Sequence, residues 1–174
     1  GTAEIKDQNI VYTPNPNANG TDAFKYKADI GTASGTVQVR VNVNPVNDPP
    51  EVLSQSVSVS EDSQLEIGLE GSDTDGNLST YEIVSLPVLG EVRLGDRVMG
   101  VGDPLAASEF NASTLNYIAS SNLNGVDVFS YRAIDGGELL SELGTITVNV
   151  VAVNDAPVVS MREVTLNEDT ELAL

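Results

Sequence analysis

The chain has 174 residues, 40% of them hydrophobic, which is enough to bury a core in one or two domains. Eight basic residues stand against 26 acidic ones, and the formal net charge of -18 disfavours nucleic acids and membrane surfaces as partners. Because the sequence contains no cysteine and no histidine, disulfides are excluded and zinc, copper and haem sites are disfavoured, whereas calcium, which takes oxygen ligands, stays open.

The hydropathy pattern argues against a membrane protein. No apolar run approaches the roughly 20 residues of a membrane-spanning helix, and no signal peptide is recognisable. We therefore expect a soluble segment of a longer chain, without membrane insertion. The acidic composition points to cations as partners, because carboxylates that folding brings together repel each other unless counter-charge lies between them.

An alternating run near residue 40 ends abruptly. The segment "TVQVRVNV" (36–43) has apolar residues at every second position, as a β-strand does. It stops at "NPVNDPPEV" (44–52), where two prolines prevent further strand pairing. A later alternating run stops in the same way at "AVNDAPVV" (152–159), which suggests that both stops mark the end of a repeated unit.

Seven short segments between the two stops alternate with a period of two, and clusters of Gly, Pro, Asn and Asp separate them. The predicted strands cover residues 56–60, 65–69, 79–84, 90–94, 115–119, 126–134 and 144–153. Only "DPLAASEF" (103–110) suggests a helical turn. Seven strands spaced by about ten residues predict an all-β, immunoglobulin-like Greek-key β-sandwich.

The sequence also repeats itself. Asn47-Asp48 returns as Asn154-Asp155 at an offset of 107 positions (154 - 47), and Glu61-Asp62 returns as Glu168-Asp169 at the same offset (168 - 61). The motif "NANGTDAFKYKA" matches "SNLNGVDVFSYRA" at an offset of 105, so a two-residue length difference lies between this motif and the Asn-Asp pair. We therefore predict the C-terminal half of one repeat at 1–48, a complete repeat at 49–155 and the first strands of a third at 156–174.

Three acidic segments are predicted at one end of the complete unit. "SDTDGN" (72–77) follows the second strand, "AIDGG" (133–137) ends the sixth, and Asn47-Asp48 precedes the first. In a Greek-key sandwich with antiparallel neighbours, these three points can gather at the same end.

The opposite end of the unit carries the Glu61-Asp62 turn and "NLNGVD" (122–127), close to Asn154-Asp155. Each Asn-Asp linker would then lie near oxygen atoms of the unit before it and the unit after it. Calcium takes about six to eight oxygen ligands and tolerates irregular geometry, so two unit ends and a linker can supply a site.

These motifs resemble those of the cadherin family. Glu61, "DTDGN", "AIDGG" and "VNDPP" or "VNDAP" are similar to the acidic first turn, the D-x-D, the A-x-D-x-G and the D-x-N-D-N-x-P linker of that family. The similarity is closer to the bacterial branch, the tandem cadherin-like repeats of large secreted RTX-type adhesins. The resemblance covers the whole chain.

The resemblance implies a calcium-binding extender or adhesion module outside the cell or at its surface, in contact with neighbouring repeats of the same chain. At the first linker it implies these calcium ligands: Asn47, Asp48, Asp73, Asp75 and Asp135. At the second linker it implies Glu61, Asn154 and Asp155. The L-D-R-E motif of animal cadherins is missing and "SNLNG" stands in its place, so we expect fewer and weaker calcium sites than in animal cadherins.

Several acidic residues also have a purely structural interpretation. "DTDGN" is compatible with an ordinary Asx-Gly turn, and it is not an EF-hand, because Gly76 stands at loop position four where position six is required. A solvated tight turn at Glu61-Asp62 stays open. We expect Asp22 and Asp127 to cap the turn amides beside Asn-Gly rather than to bind an ion.

Catalysis finds no support in the sequence, which has no G-x-S-x-G motif, no phosphate-binding loop and no nucleophile with a base partner. We therefore expect no enzymatic activity. A second non-enzymatic hypothesis is that each unit binds a partner directly, either a polysaccharide such as a cell-surface glycan or another copy of itself. That hypothesis needs an exposed aromatic or polar groove, and an aromatic content of 5% supplies few candidates.

Overall fold

The computed structural model describes residues 1–110, 115–157, 159–161, 163–165, 167–168 and 171. The predicted start of a third repeat, 156–174, falls partly outside these residues, and the described part of it contains no strand. No helix in the described residues is long and apolar enough to cross a membrane.

Two β-hairpins form the first part of the chain. The first hairpin pairs β1 (Thr2–Lys6) with β2 (Asn9–Thr13). The second pairs β3 (Gly20–Ile30) with β4 (Ala33–Val43), antiparallel over all 11 residues of each strand. The linker 44–50, which has no regular structure, follows β4.

The remaining strands, together with one short helix, lie between residues 51 and 151. They are β5 (Glu51–Val52), β6 (Gln55–Ser60), β7 (Gln64–Ile67), β8 (Gly71–Ser72), β9 (Leu78–Ser85), β10 (Gly90–Leu94), β11 (Arg97–Val98), β12 (Pro104–Ala106), α1 (Ala107–Phe110), β13 (Leu115–Ala119), β14 (Gly125–Asp135) and β15 (Gly144–Val151).

These strands form an immunoglobulin-like β-sandwich. One sheet has four strands in the order β11-β10-β13-β7, and the other has five in the order β12-β9-β14-β15-β6. Neighbours are antiparallel except β6 and β15, which are parallel over six residue pairs. The first strand of the unit is divided into two parts. Its first part, the short β5, pairs with β8, and its second part, β6, pairs with β15.

The core lies between the two sheets and is built from the inward residues of alternating strands. Along β14, every second residue from Asp127 to Asp135 is buried. Tyr117 on β13 and Phe129 and Tyr131 on β14 are the largest fully buried side chains. Their burial removes apolar area from water and supplies the main driving force for the sandwich.

All seven strands predicted in the complete unit are present. Four short strands, β5, β8, β11 and β12, were not predicted, because two or three residues are too few to show alternation. The predicted helical turn at 103–110 is shorter than expected: residues 104–106 pair with β9 as β12, and only Ala107–Phe110 are helical.

The two parts of the chain share structural details that follow the sequence repeat. Gly20 is paired with Val43, and Gly125, which lies 105 positions after Gly20, is paired with Val150. Asn17 and its counterpart Asn122 both have a φ of 58°. The two additional residues of the second copy therefore lie in the connection between β14 and β15. The division at residues 48 and 155 stays a prediction.

Candidate functional site

The linker 44–50 lies beside two loops of the sandwich. Loop 73–77 joins β8 to β9, and loop 136–143 joins β14 to β15. Because β9 and β14 are antiparallel neighbours, the start of β9 lies beside the end of β14, where Leu78 is paired with Asp135. Both loops therefore lie at one end of the sandwich, next to the linker.

Asp73 organises loop 73–77. Its Oδ1 accepts hydrogen bonds from the backbone N–H of Asp75 at 2.7 Å and of Asn77 at 3.5 Å. Gly76 adopts a left-handed φ of 72°, which glycine tolerates without steric cost. The resulting turn leaves the Asp75 carboxylate exposed, and its Oδ2 accepts the backbone N–H of Asp48 at 2.8 Å. The turn thus orients one carboxylate toward the linker.

Asp135, the last residue of β14, is only 3% exposed. Its Oδ1 accepts the backbone N–H groups of Gly137 and Leu139, both at 2.8 Å, and its Oδ2 accepts the Asn47 side-chain amide at 2.5 Å. Desolvation raises the pKa of Asp135, but the hydrogen bonds from Asn47, Leu139 and Gly137 outweigh it, so the pKa is lowered. Asp135 is therefore a buried carboxylate that favours its ionised form.

Asn47 and Asn77 connect the two loops. Besides its bond to Asp135, Asn47 accepts a hydrogen bond at its Oδ1 from the Asn77 Nδ2, at 2.7 Å. In this arrangement the side-chain oxygen of Asn77 lies 3.0 and 3.2 Å from the two carboxylate oxygens of Asp73, with no hydrogen between them. Rotating the Asn77 amide by half a turn gives Asp73 its donor, but then brings two amide oxygens within 2.7 Å of each other.

The series Asp73, Asn77, Asn47 and Asp135 therefore has one hydrogen-bond donor too few. The carboxylates at its two ends only accept, and each amide has one donating end and one accepting end. Three successive contacts need three donating ends, and two amides supply only two. In every orientation at least one pair of oxygens is left facing each other, and a cation bound between oxygens removes this mismatch.

The chemistry of these donors suits a calcium ion, which prefers carboxylate and amide oxygens. In the described part of the chain, no three acidic side chains are arranged to hold a metal ion by themselves. An ion here would therefore need the amide oxygens of Asn47 and Asn77 as well as the carboxylates.

The structure brings together all five residues predicted for the first linker. With Asn77 they form a group that we call the linker cluster: Asn47, Asp48, Asp73, Asp75, Asn77 and Asp135. Sequence reasoning missed Asn77 as a member, although it ends the "DTDGN" motif. Its backbone oxygen also accepts the Gly136 N–H at 2.9 Å, which ties the two loops together. The role of these residues as calcium ligands stays a prediction.

The residues predicted for the second linker are only partly brought together. Glu61 is 5% exposed, and its Oε1 accepts the backbone N–H of Val153 at 2.7 Å. Its Oε2 is buried and has no hydrogen-bond partner, so Glu61 is not the solvated turn residue of the alternative hypothesis. Asn154 and Asp155 are exposed, and Asn154 donates to the backbone oxygen of Asp155 at 3.3 Å.

Asp127 and Asp22 both accept hydrogen bonds from backbone N–H groups, but neither accepts one from the turn amides beside Asn-Gly that were expected. Asp127 accepts the N–H groups of Val88 and Leu89, in the turn before β10, at 2.7 and 2.8 Å. It also accepts the buried Tyr117 hydroxyl at 2.7 Å. These partners come from a turn and a strand that are distant in sequence, and no local motif indicates them.

Asp22 repeats part of this arrangement in the first part of the chain. Its Oδ2 accepts the Tyr12 hydroxyl at 2.6 Å, and its Oδ1 accepts the Ala23 N–H at 2.7 Å. These hydrogen bonds, that of Tyr12 first, together with the N-terminal ammonium group of Gly1, lower the pKa of Asp22 to about 2. The Tyr-Asp pair is therefore a shared feature of both copies.

A crevice lies beside the linker cluster, between the first part of the chain and the sandwich. It consists of two adjoining cavities of about 160 and 450 Å³. We call it the linker crevice and define it by the residues of its larger cavity: Asn17, Asn19, Pro45, Val46, Asn47, Thr74 and Asp75. It shares Asn47 and Asp75 with the linker cluster, and Asp48 lines the smaller cavity. Its lining combines amides, a hydroxyl and a carboxylate with two apolar side chains.

The family model for a bacterial Ig domain matches residues 47–151. Among curated proteins, the chain is 28% identical to integrin beta-like protein B of Dictyostelium discoideum and 26% identical to integrin beta-like protein E of the same organism. The matches cover 94% and 91% of this chain but only 9% of each relative. The chain thus spans a small part of the curated relatives that it matches.

Two solved structures show partial similarity to the chain. Domains 4 and 5 of the S-layer protein SbsC match with 21% identity and a TM-score of 0.39, over 77% of this chain and 59% of that one. A variant of the SrpA adhesin of Streptococcus sanguinis matches with 17% identity and a TM-score of 0.41, over 60% and 58%.

Proposed function

Because the chain belongs to the bacterial Ig domain family, we propose that its units are extender modules of an extracellular, adhesion-type protein, in which calcium bound at the linkers stiffens the chain. The function is structural rather than catalytic. Each sandwich is a rigid spacer, and the linker between two sandwiches decides whether they keep a fixed orientation.

The observation that carries this proposal is the missing donor in the linker cluster. Asp73, Asn77, Asn47 and Asp135 contact one another in series, yet one contact always joins two oxygens. Oxygens that face each other in this way repel, whereas the same oxygens around a cation attract it. A calcium ion would thus turn the least favourable contact of the cluster into a favourable one.

The position of the cluster supports a role in stiffening. Asn47 and Asp48 belong to the linker, whereas the other members belong to two loops of the sandwich. The oxygens of the linker and of both loops would be attracted to the same calcium ion, which would fix the linker to both loops. Without the ion, repulsion between carboxylates leaves the linker free to move, while the sandwich keeps its apolar core.

Glu61 supports a comparable site at the second linker. A buried carboxylate oxygen without a partner is costly, because its desolvation is not compensated. Asn154 and Asp155, which follow Val153 in the chain, would add oxygens beside it. We propose that Glu61, Asn154 and Asp155 bind a second calcium ion when the next unit is in place.

The relatives support a location outside the cell. The curated proteins that the chain matches are named integrin beta-like proteins. A chain with a net charge of -18 is repelled by anionic surfaces, which suits a spacer between a cell and its target. We therefore propose that the units extend a distal adhesive region away from the cell surface.

Small-angle X-ray scattering of the chain, with roughly 1 mM calcium and with a chelator, tests the stiffening. We expect a longer maximum dimension and a narrower distance distribution with calcium. The variant Asp75→Asn should reduce the difference between the distance distributions with calcium and with chelator. The variant Asp96→Asn, at an exposed carboxylate in the turn between β10 and β11, should not. Identical distance distributions in both conditions would contradict the proposal.

Calcium titration of Gly137→Ala tests the cluster without a change of charge. A Cβ atom at Gly137 would lie 2.7 Å from the Asn47 Nδ2, so the Asn47 side chain must shift from its position in the cluster. We expect a loss of calcium affinity of about tenfold, as for other changes that displace a ligand indirectly. Gly68→Ala, where a Cβ meets no atom within 4 Å, is the control. Unchanged affinity in Gly137→Ala would exclude Asn47 as a ligand.

A further inference from the structure

We infer that the linker crevice binds a neutral saccharide, so that each unit boundary offers both an ion site and a sugar site. The inference goes beyond the proposed function and does not depend on it, although calcium at the linker cluster would fix the two walls of the crevice. The larger cavity, about 450 Å³, lies in the size range of ligand pockets.

The lining of the crevice matches sugar hydroxyls. The amides of Asn17 and Asn19 each offer both a donor and an acceptor, Thr74 offers a hydroxyl, and Asp75 offers an acceptor. A hydroxyl is both donor and acceptor, so it pairs with all of these groups. No basic or aromatic side chain lines the crevice, which disfavours anionic ligands and flat aromatic ones.

Val46 adds an apolar surface that the fold does not explain. Its side chain is 77% exposed in the middle of the linker, beside Pro45. Because the Val46 side chain packs into no core, its exposure to water has a free-energy cost that folding does not offset. The C–H face of a sugar ring that rests on Val46 and Pro45 would cover this surface while its hydroxyls reach the amides.

Part of the crevice lining recurs at the next boundary, where Ala152 corresponds to Pro45. Asn17 and Asn19 correspond to Asn122 and Asn124 at an offset of 105, and Val46 and Asn47 correspond to Val153 and Asn154 at an offset of 107. Val153, like Val46, is an exposed valine next to the linker Asn-Asp pair. An exposed apolar residue that returns with its amide neighbours indicates a site repeated along the chain.

Repetition would compensate for weak single sites. A polysaccharide that spans several boundaries engages the second site at an effective concentration set by its own length. Weak binding of a short oligosaccharide and stronger binding of the matching polymer are therefore the expected pattern.

Isothermal titration of the chain with neutral hexasaccharides, namely maltohexaose, cellohexaose, xylohexaose and mannohexaose, tests the inference in the presence of calcium. We expect binding of at least one of them, and none of a sulfated hexasaccharide. Failure of all four neutral probes at about 100 times the protein concentration would overturn the inference.

Variants of the two crevice amides separate the sugar site from the ion site. Asn17→Gly keeps the left-handed backbone conformation at φ 58°, and Asn19→Ala removes the neighbouring amide. The double variant should lose at least tenfold in saccharide affinity and keep its calcium affinity. Asn149→Ala, an exposed amide on β15, is the matched control and should keep both.

Two further outcomes are decisive. If the double variant loses calcium and saccharide binding together, the amides serve the ion and the inference is overturned. If the chain binds the saccharide but no calcium, the proposed stiffening fails while the sugar site stands.

Discussion

At the residue scale, two buried carboxylates at opposite ends of the sandwich have different roles. Asp127 accepts hydrogen bonds from the amides of Val88 and Leu89, from its neighbour Val128 and from the Tyr117 hydroxyl, so both of its oxygens have donors. Asp135 receives one of its hydrogen bonds from Asn47, which belongs to the linker. Asp127 therefore stabilises the unit, whereas Asp135 couples it to the linker.

The variant Asp127→Asn tests the structural role. On either side its amide nitrogen would face at least one backbone N–H, which can only donate, so at least one buried donor would be left unpaired. This costs about 1 to 3 kcal/mol of unfolding free energy. Urea denaturation should show a correspondingly lower midpoint. Asp96→Asn, an exposed carboxylate, should change stability by less than about 0.5 kcal/mol. Equal midpoints for the two variants would contradict the assignment.

Stability should fall at alkaline pH because of the buried tyrosines. Burial raises the pKa of Tyr81, Tyr117 and Tyr131 above the ordinary value of 10.0, and the hydrogen bond to Asp127 raises that of Tyr117 further. Above about pH 10 the unfolded chain loses phenolic protons that the folded chain keeps. The stabilisation by the buried tyrosines is therefore complete below that pH and is lost as the pH rises.

Circular dichroism and phenolate absorbance during the same titration check this pH dependence. We expect the thermal midpoint to be constant at neutral pH and to decrease above pH 10. The phenolate signal of the buried tyrosines should appear together with the loss of β-structure. Their ionisation in a chain that stays folded would show that burial does not protect them.

At the element scale, alternation of apolar residues was sufficient to predict the long strands. The alternation pattern did not reveal strands of only two or three residues. It also failed where tertiary pairing overrides a local preference, as in residues 104–106, which pair with β9 instead of starting a helix. The linker cluster could be predicted in part, because repeated motifs marked both the linker and its loops. Asn77 was missed because its partner Asn47 is distant in sequence and only folding brings them together.

Gly90, the first residue of β10, should not tolerate a side chain. A Cβ atom there would lie 2.5 Å from the backbone oxygen of Ile118 and 2.5 Å from the ring of Tyr117. We expect Gly90→Ala to destabilise the unit by about 1 to 3 kcal/mol through overpacking. Gly68→Ala, with open space around the new atom, should be neutral or slightly stabilising. Comparable urea midpoints for Gly90→Ala and Gly68→Ala would show that β10 can shift to accommodate the side chain without loss of stability.

At the scale of the whole molecule, the excess of negative charge acts on every unit at once. With 26 acidic and eight basic residues, the folded chain repels itself more strongly than the expanded one. Calcium at the linkers would relieve only the local part of this repulsion. The remainder depends on the ionic strength of the solution.

Monovalent salt should therefore stabilise the chain in the absence of divalent ions. We expect the thermal midpoint to rise by several degrees between about 10 mM and 500 mM sodium chloride, since the Debye length falls from roughly 30 Å to a few ångströms. Differential scanning calorimetry in the presence of a chelator measures the effect. A midpoint that falls with added salt would show that attractive ion pairs outweigh the repulsion.

The parallel pairing of β6 with β15 has a consequence for a chain under tension. β6 is the first long strand after the linker 44–50, and β15 is the last strand before Asn154-Asp155. Opposite pulls on the two linkers therefore slide these neighbouring strands past each other along their length. All six residue pairs between β6 and β15 are strained at the same time, so the unit resists stretching as a whole rather than opening pair by pair.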